Sequence, residues 1–212
     1  MKIALVAPTG KIGSEIAKEA LRKGHELIGI VRTPRNAPEA LKAVEFKVVD
    51  IFDTHAFAEA IKGADVLASA YGAHGDHIDT VTEAAKAIVS AARVAGIKRV
   101  IVVGGAGSLE VAPGSKLVDA PYFPEDYRPY GQAHDRAFQI INKASDLEWT
   151  FFSPAAEIGP GEKIGHYHVA AKTLQKDTKG QSSISYPDYA EAFVAEIENG
   201  NYVKNIMTVA YK

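Results

Sequence analysis

The 212-residue chain carries 24 Lys and Arg against 26 Asp and Glu, a formal net charge of −2, with 47% hydrophobic residues. That is enough apolar material for one sizeable core. It lacks the basic excess of a protein that lives on nucleic acid or an anionic membrane surface. There is no cysteine, which excludes disulfides, thiol redox chemistry and cysteine-based zinc sites. No apolar run approaches the ~20 residues of a membrane span. Lys2 leads into a short apolar segment and a glycine turn rather than a signal peptide. We therefore expect a soluble, cytoplasmic protein with a single core.

Residues 3–6 are continuously apolar, the pattern of a strand buried on both faces. Residues 12–23 place Ile12, Ile16, Ala20 and Leu21 at helical spacing, with Gly24 as the stop. Strands follow at 27–31 and 44–49, then a short helix at 56–61 and a fourth strand at 65–68. A long Ala-rich helix at 77–95, ended by Gly96, precedes a fifth strand at 99–103. A helix at 133–144 and a sixth strand at 149–152 complete the series. Strand and helix alternate without a tight hairpin, which demands parallel pairing through right-handed crossovers. The fold class is α/β, a doubly wound Rossmann sheet. From Pro154 the rhythm loosens through Gly159, Pro160, Gly161 and Gly165 to segments at 183–185, 187–198 and 206–209. We read residues 1–212 as one domain, with 1–153 as the core sheet and 154–212 as a small C-terminal lobe completing it.

The first strand runs into Ala7-Pro8-Thr9-Gly10-Lys11-Ile12-Gly13 and then directly into a helix. This is the spacing of a dinucleotide turn with Ala in place of the first Gly. Small residues let backbone N–H groups approach a pyrophosphate at the helix start. Strand before and helix after supply the context that the motif requires. Thr9, Gly10, Lys11, Ile12 and Gly13 are thus candidate cofactor residues. The end of the second strand reads Val31-Arg32-Thr33. A carboxylate there would hold a ribose 2′-hydroxyl, whereas Arg suits a 2′-phosphate, so Arg32 favours NADP over NAD. Lys11 and Arg35 fall in the same crevice.

Asp50 ends the third strand, with Ile51 and Phe52 next. Asp50 can accept from an adenine amine while its apolar neighbours cover the ring. It can equally cap the following helix, a job Asp53 could do instead. After the fourth strand, Ser69-Ala70-Tyr71-Gly72 can pass under a nicotinamide ribose, and Gly104-Gly105-Ala106-Gly107-Ser108 follows the fifth. In an open α/β sheet these turns line one crevice beyond the carboxyl ends of the strands.

On these motifs the chain resembles the atypical short-chain dehydrogenase/reductases, in particular the small NAD(P)H-binding, NmrA-like group that includes NADH-flavin reductases and biliverdin reductase B. The resemblance also rests on Val49-Asp50-Ile51-Phe52-Asp53, Trp149-Thr150-Phe151-Phe152-Ser153-Pro154 and Ser185-Tyr186-Pro187-Asp188-Tyr189-Ala190, and covers nearly the whole length. It implies a nicotinamide cofactor, with Gly104 and Pro154 beside it. The wider superfamily pairs a Ser after the fifth strand with Tyr-x-x-x-Lys on the next helix. Ser108 and Tyr130 match, and His134 stands where Lys is expected, so these three are the catalytic candidates. A His is largely neutral at pH 7 and would help ionise Tyr130 much less than Lys. Tyr130 and His134 can equally be an ordinary exposed pair at a helix start.

Reduction of a flavin or quinone asks less of the protein than reduction of a ketone, because hydride passes when two flat rings stack. The expected function is NAD(P)H-dependent reduction of a small aromatic acceptor such as a flavin or quinone, with NADPH preferred over NADH. Tyr71, Tyr127 and Tyr122-Phe123 are expected to offer flat surface at the mouth. A non-catalytic redox sensor of NmrA type is the alternative, and a sugar-nucleotide epimerase or dehydratase a third. His74-Gly75-Asp76-His77 and His166-Tyr167-His168 read as loop histidines, not a metal site. There is neither a Gly-x-Ser-x-Gly elbow nor a P-loop. No nucleic-acid or membrane partner is expected, and a homodimer is compatible with the sequence.

Overall fold

A computed structural model describes residues 1–33, 38–73 and 75–212, with Asp76 described by its backbone alone. Arg35 and His74, both named above, lie outside the described residues. In chain order the elements are β1 Lys2–Val6, α1 Lys11–Arg22, β2 Glu26–Val31, β3 Glu45–Val48, α2 Thr54–Ile61, β4 Val66–Ser69, α3 Thr80–Ala95 and β5 Arg99–Val103. They continue with β6 Glu110–Ala112, β7 Ser115–Lys116, α4 Arg128–Asn142, β8 Glu148–Ser153, β9 Glu157–Gly159, β10 Tyr167–Ala171, β11 Ser183–Ser185, α5 Tyr186–Asn199 and β12 Asn205–Tyr211.

The main sheet has the order β10-β12-β8-β5-β4-β1-β2-β3. Every pair in it is parallel except β10 with β12. The order reverses at β1, which pairs with β2 on one side and β4 on the other, so the crevice of a doubly wound sheet opens above β1. The strands are apolar on both sides because helices cover both faces. On one face α1 and α5 bury Ile16, Ala20, Tyr189 and Phe193 against Leu5 and Phe152. The Phe152 and Phe193 rings stack at 5.8 Å. On the other, α2, α3 and α4 bury Phe57, Ile88 and Ile141 against Val100 and Phe151. Among the described residues no helix is long and apolar enough to cross a membrane.

Three features depart from or extend the reading of the sequence. The residues beyond Pro154 add two strands to the main sheet, β12 beside β8 and β10 at the edge. A hairpin is present after all, β6 with β7, turning through Pro113 and Gly114, the latter at φ +75°. Pro followed by Gly is the pair a tight turn wants, so the signal was in the sequence. Helix α4 begins at Arg128, five residues before the expected position, because Pro129 in its first turn is tolerated where no intrahelical N–H bond is made.

At the amino ends of β5 and β8, Arg99 is buried beneath α5. Its guanidinium donates to Glu196 Oε1 at 2.9 Å, Thr150 Oγ1 at 2.7 Å and the Glu148 carbonyl at 2.9 Å. Glu196 also accepts from the N–H groups of Asn201 and Tyr202. Burial pushes the Arg99 pKa down and the Glu196 carboxylate opposes that. We predict that Glu196→Ala, which strands a buried cation, destabilises by about 3–5 kcal/mol in urea unfolding. The Arg99→Leu/Glu196→Leu double variant should lose less than the single one.

Candidate functional site

The turn from β1 into α1 is the tightest approach in the site. Ala7 holds a left-handed backbone at φ +59°, a conformation costing about 1–2 kcal/mol for a residue with a Cβ. It is retained by the Ala7 N–H donating to the Ile30 carbonyl at 3.1 Å and the Gly10 N–H donating to the Ala7 carbonyl at 3.3 Å. A Cβ on Gly13 would lie 2.0 Å from that same carbonyl oxygen, so only Gly lets the helix sit so close. Helix α1 then begins with neither a side-chain cap nor an acidic residue in its first turn. Its leading N–H groups have no intrahelical acceptor, and its positive dipole end is unneutralised.

This helix start stands beside a crevice of about 280 Å³. Thr9 after β1, Arg32 and Thr33 after β2, Asp50, Ile51 and Phe52 after β3, and Tyr71 and Gly72 after β4 line it. Of the sequence candidates, then, Thr9, Arg32, Asp50, Ile51, Tyr71 and Gly72 meet in one place. Gly10, Lys11, Ile12 and Gly13 form the adjoining helix start, and Ala70 packs beneath Gly13. Gly104 and Pro154 follow β5 and β8 and stand outside this crevice. Thr33 was not singled out in the sequence, where nothing distinguishes it from any loop Thr.

The two roles open for Asp50 separate in the structure. Asp53 caps α2 by accepting from the Ala56 N–H at 3.0 Å. Asp50 Oδ1 accepts from the Phe52 N–H at 3.0 Å, a turn that aims the carboxylate along the crevice edge. The exposed Phe52 ring meets Tyr71 edge-on at 6.4 Å. The Tyr71 hydroxyl donates to Thr80 Oγ1 at 3.0 Å.

The catalytic candidates lie further along the sheet. Ser108 Oγ is sealed from solvent and makes no hydrogen bond, so a substrate oxygen cannot reach it in this arrangement. His134 is half-buried, and its Nδ1 is sealed and unpaired. Burial lowers its pKa from 6.5 to about 4, which makes the imidazole neutral at pH 7. A Cβ on Gly105 would lie 2.9 Å from the His134 Cβ, so the turn after β5 rests directly on this residue. Tyr130, one helical turn earlier, accepts from the Gly75 N–H at 3.1 Å and thereby joins α4 to the segment after β4.

Of the aromatics expected at the mouth, Tyr122 and Tyr127 are exposed, whereas Phe123 packs beneath the Arg128 guanidinium. Arg128 also donates to the carbonyls of Val118 at 2.6 Å and Phe123 at 3.1 Å. It thus clamps the segment between β7 and α4, a role the sequence did not reveal. On the other flank Asp188 fixes the segment after β9. Burial alone would raise its pKa, but the N–H groups of Ile164 and Gly165 and the hydroxyls of Tyr211 and Ser185 lower it further. Lys163 in that segment bridges Glu19 at 3.1 Å and Glu191 at 2.8 Å.

A family described as NAD(P)H-binding matches residues 8–200. The uncharacterised protein YwnB of Bacillus subtilis (strain 168) is 37% identical over 99% of this chain and 98% of its own length. A "putative exported protein" from Burkholderia pseudomallei, solved by crystallography, is 48% identical over all of both chains with a TM-score of 0.93. A "putative NADH-flavin reductase" from Streptococcus pneumoniae TIGR4 is 32% identical over all of both chains with a TM-score of 0.90. A "putative epimerase" from Bacteroides thetaiotaomicron is 33% identical over 99% of this chain and 96% of that one, with a TM-score of 0.89.

Two predictions follow from the site. Gly13→Ala, forced against the Ala7 carbonyl, should destabilise by about 2–3 kcal/mol in thermal or urea unfolding. The second concerns acid. The unfolded chain protonates His134 before the folded one does, so stability should fall as pH drops from about 6.5 towards about 4. Glu19, held down to about 2 by Arg22 and then Lys163, adds a further loss between 4.5 and about 2. Thermal melts across this range should show His134→Gln removing the upper part of the decline and leaving the lower part.

Proposed function

The chain is a member of the NAD(P)H-binding family, and on that premise we propose that it is an NADPH-dependent reductase passing hydride to a flat aromatic acceptor, a flavin or a quinone. The observation that carries the cofactor preference is the end of β2, where Arg32 reaches the crevice beside the uncapped start of α1. In this reading the N–H groups at Lys11, Ile12 and Gly13 receive the pyrophosphate. Arg32 pairs with a 2′-phosphate, and Asp50 accepts from the adenine amine beside Ile51 and Phe52. Ala70, Tyr71, Gly72, Gly104 and Pro154 border the nicotinamide half.

The bound nicotinamide supplies the hydride. What remains for the chain is to hold two flat rings together and keep water away. Ser108 is sealed and His134 is uncharged, so neither is set up to drive an alcohol–ketone interconversion. In this reading the Tyr130 hydroxyl gives a proton to an acceptor oxygen, a step that solvent can also supply. The likeness to the "putative NADH-flavin reductase" of Streptococcus pneumoniae supports the same acceptor class.

The test is oxidation of NADPH and NADH by the pure protein, with FMN and with a small quinone, followed by loss of dihydronicotinamide absorbance. NADPH should be the better donor. Arg32→Ala should raise KM for NADPH roughly tenfold or more and spare NADH, while Tyr130→Phe should keep most of the turnover with FMN. NADPH binding without turnover on either acceptor would replace the reductase with a redox sensor, a reading favoured by the same sealed Ser108 and neutral His134.

A further inference from the structure

The two edges of the main sheet are built differently. At one edge β3 reads Glu45-Phe46-Lys47-Val48, with Lys47 and Glu45 paired at 3.5 Å. Charged side chains on an edge keep a further strand from docking there. At the other edge β10 reads Tyr167-His168-Val169-Ala170-Ala171, with no Lys, Arg, Asp, Glu or Pro. Val169, at its centre, is 41% exposed.

The backbone of β10 is bonded along one side. The Lys172 N–H donates to the Ile206 carbonyl at 3.2 Å, in the register that sets Ala170 opposite Thr208 and His168 opposite Ala210. Bonding alternates along an antiparallel pair, so His168 and Ala170 turn their N–H and C=O groups to β12. Tyr167, Val169 and Ala171 turn theirs outward. The Ala171 carbonyl accepts from the Thr173 N–H at 2.6 Å; among the described residues no other of these outward groups takes a partner. Lys172, left-handed at φ +58°, ends the strand.

This edge is complementary to itself. Laid antiparallel on a second copy about Val169, it sets Val169 against Val169, Tyr167 against Ala171 and His168 against Ala170. Each large side chain then meets a small one across the seam, and the three outward residues of both copies exchange about six backbone hydrogen bonds. An axis moved to His168 or Ala170 leaves Ala171 or Tyr167 facing a residue beyond the strand. We infer that β10 is the docking edge for a second copy of this chain, which joins two main sheets through a two-fold axis at Val169. The contact uses the same strand from both copies, so it closes on itself and stops at a dimer. Strands β12, β8, β5 and β4 stand between this edge and β1, so the pair leaves the crevice above β1 open. The inference holds whatever that crevice binds.

Sedimentation of the full chain over about 1–500 µM tests this, with a reversible monomer–dimer equilibrium expected at a Kd of about 1–100 µM. Val169→Lys sets two like charges face to face on the axis and should stay monomeric throughout, with a thermal melt reporting that it folds. Val169→Ile should keep the dimer. Amide exchange supplies a second readout. The N–H groups of Tyr167, Val169 and Ala171 should exchange fast in dilute protein and slow as concentration rises, whereas those of His168 and Ala170 should be protected at both. A monomer at every concentration overturns the inference. So does a dimer that survives Val169→Lys, or one whose three outward amides stay unprotected. If Val169→Lys does not fold, the exchange pattern of the wild-type chain decides.

Discussion

The contact between the Ala7 carbonyl and helix α1 at Gly13 governs how this molecule is organised at its working end. The backbone turns back on itself through a left-handed alanine, and the helix closes over it with no space for a Cβ. That closure fixes the direction of α1. It presents the helix's unsatisfied N–H groups to the crevice above β1, the strand at which the sheet order reverses. The strain at Ala7 is small beside the packing of α1 against β1 and α5, so it persists.

The two ends of the sheet have been given different work. At the amino ends of β5 and β8, Arg99 and Glu196 bind each other and several backbone groups. At the carboxyl ends, Ser108 Oγ, His134 Nδ1 and Ser153 Oγ remain buried without partners. Unsatisfied buried groups are costly and few in folded proteins. Their gathering in the turn after β5, at the end of β8 and on α4 matches the rule that local inconsistencies are tolerated where a site is built.

The sheet, its parallel pairing and the tight turn from β1 into α1 were legible because each rests on local pattern. Continuous apolar runs mark strands buried on both faces, and the Gly10 and Gly13 spacing has a steric cause the structure displays directly. The position of Arg32 on the crevice could be read for the same reason, since it depends only on standing at a strand end. What escaped depends on contacts distant in sequence. The sealing of Ser108 follows from how the turn after β5 meets α4. The pairing of β10 with β12 joins segments separated by a whole helix, and a short half-exposed strand such as Tyr167-His168-Val169-Ala170-Ala171 carries little pattern of its own. The choice between Asp50 and Asp53 as the cap of α2 was undecidable from type alone and turned on which carboxylate lay three residues before a free N–H.

Arg128 has a consequence for kinetics. By donating to the Val118 and Phe123 carbonyls and covering the Phe123 ring, it orders the segment carrying Tyr122 before any ligand arrives. A molecule landing on the exposed Tyr122 would find a surface whose conformational entropy has already been lost in folding. Its encounter would be limited by diffusion and orientation rather than by closure of a loop.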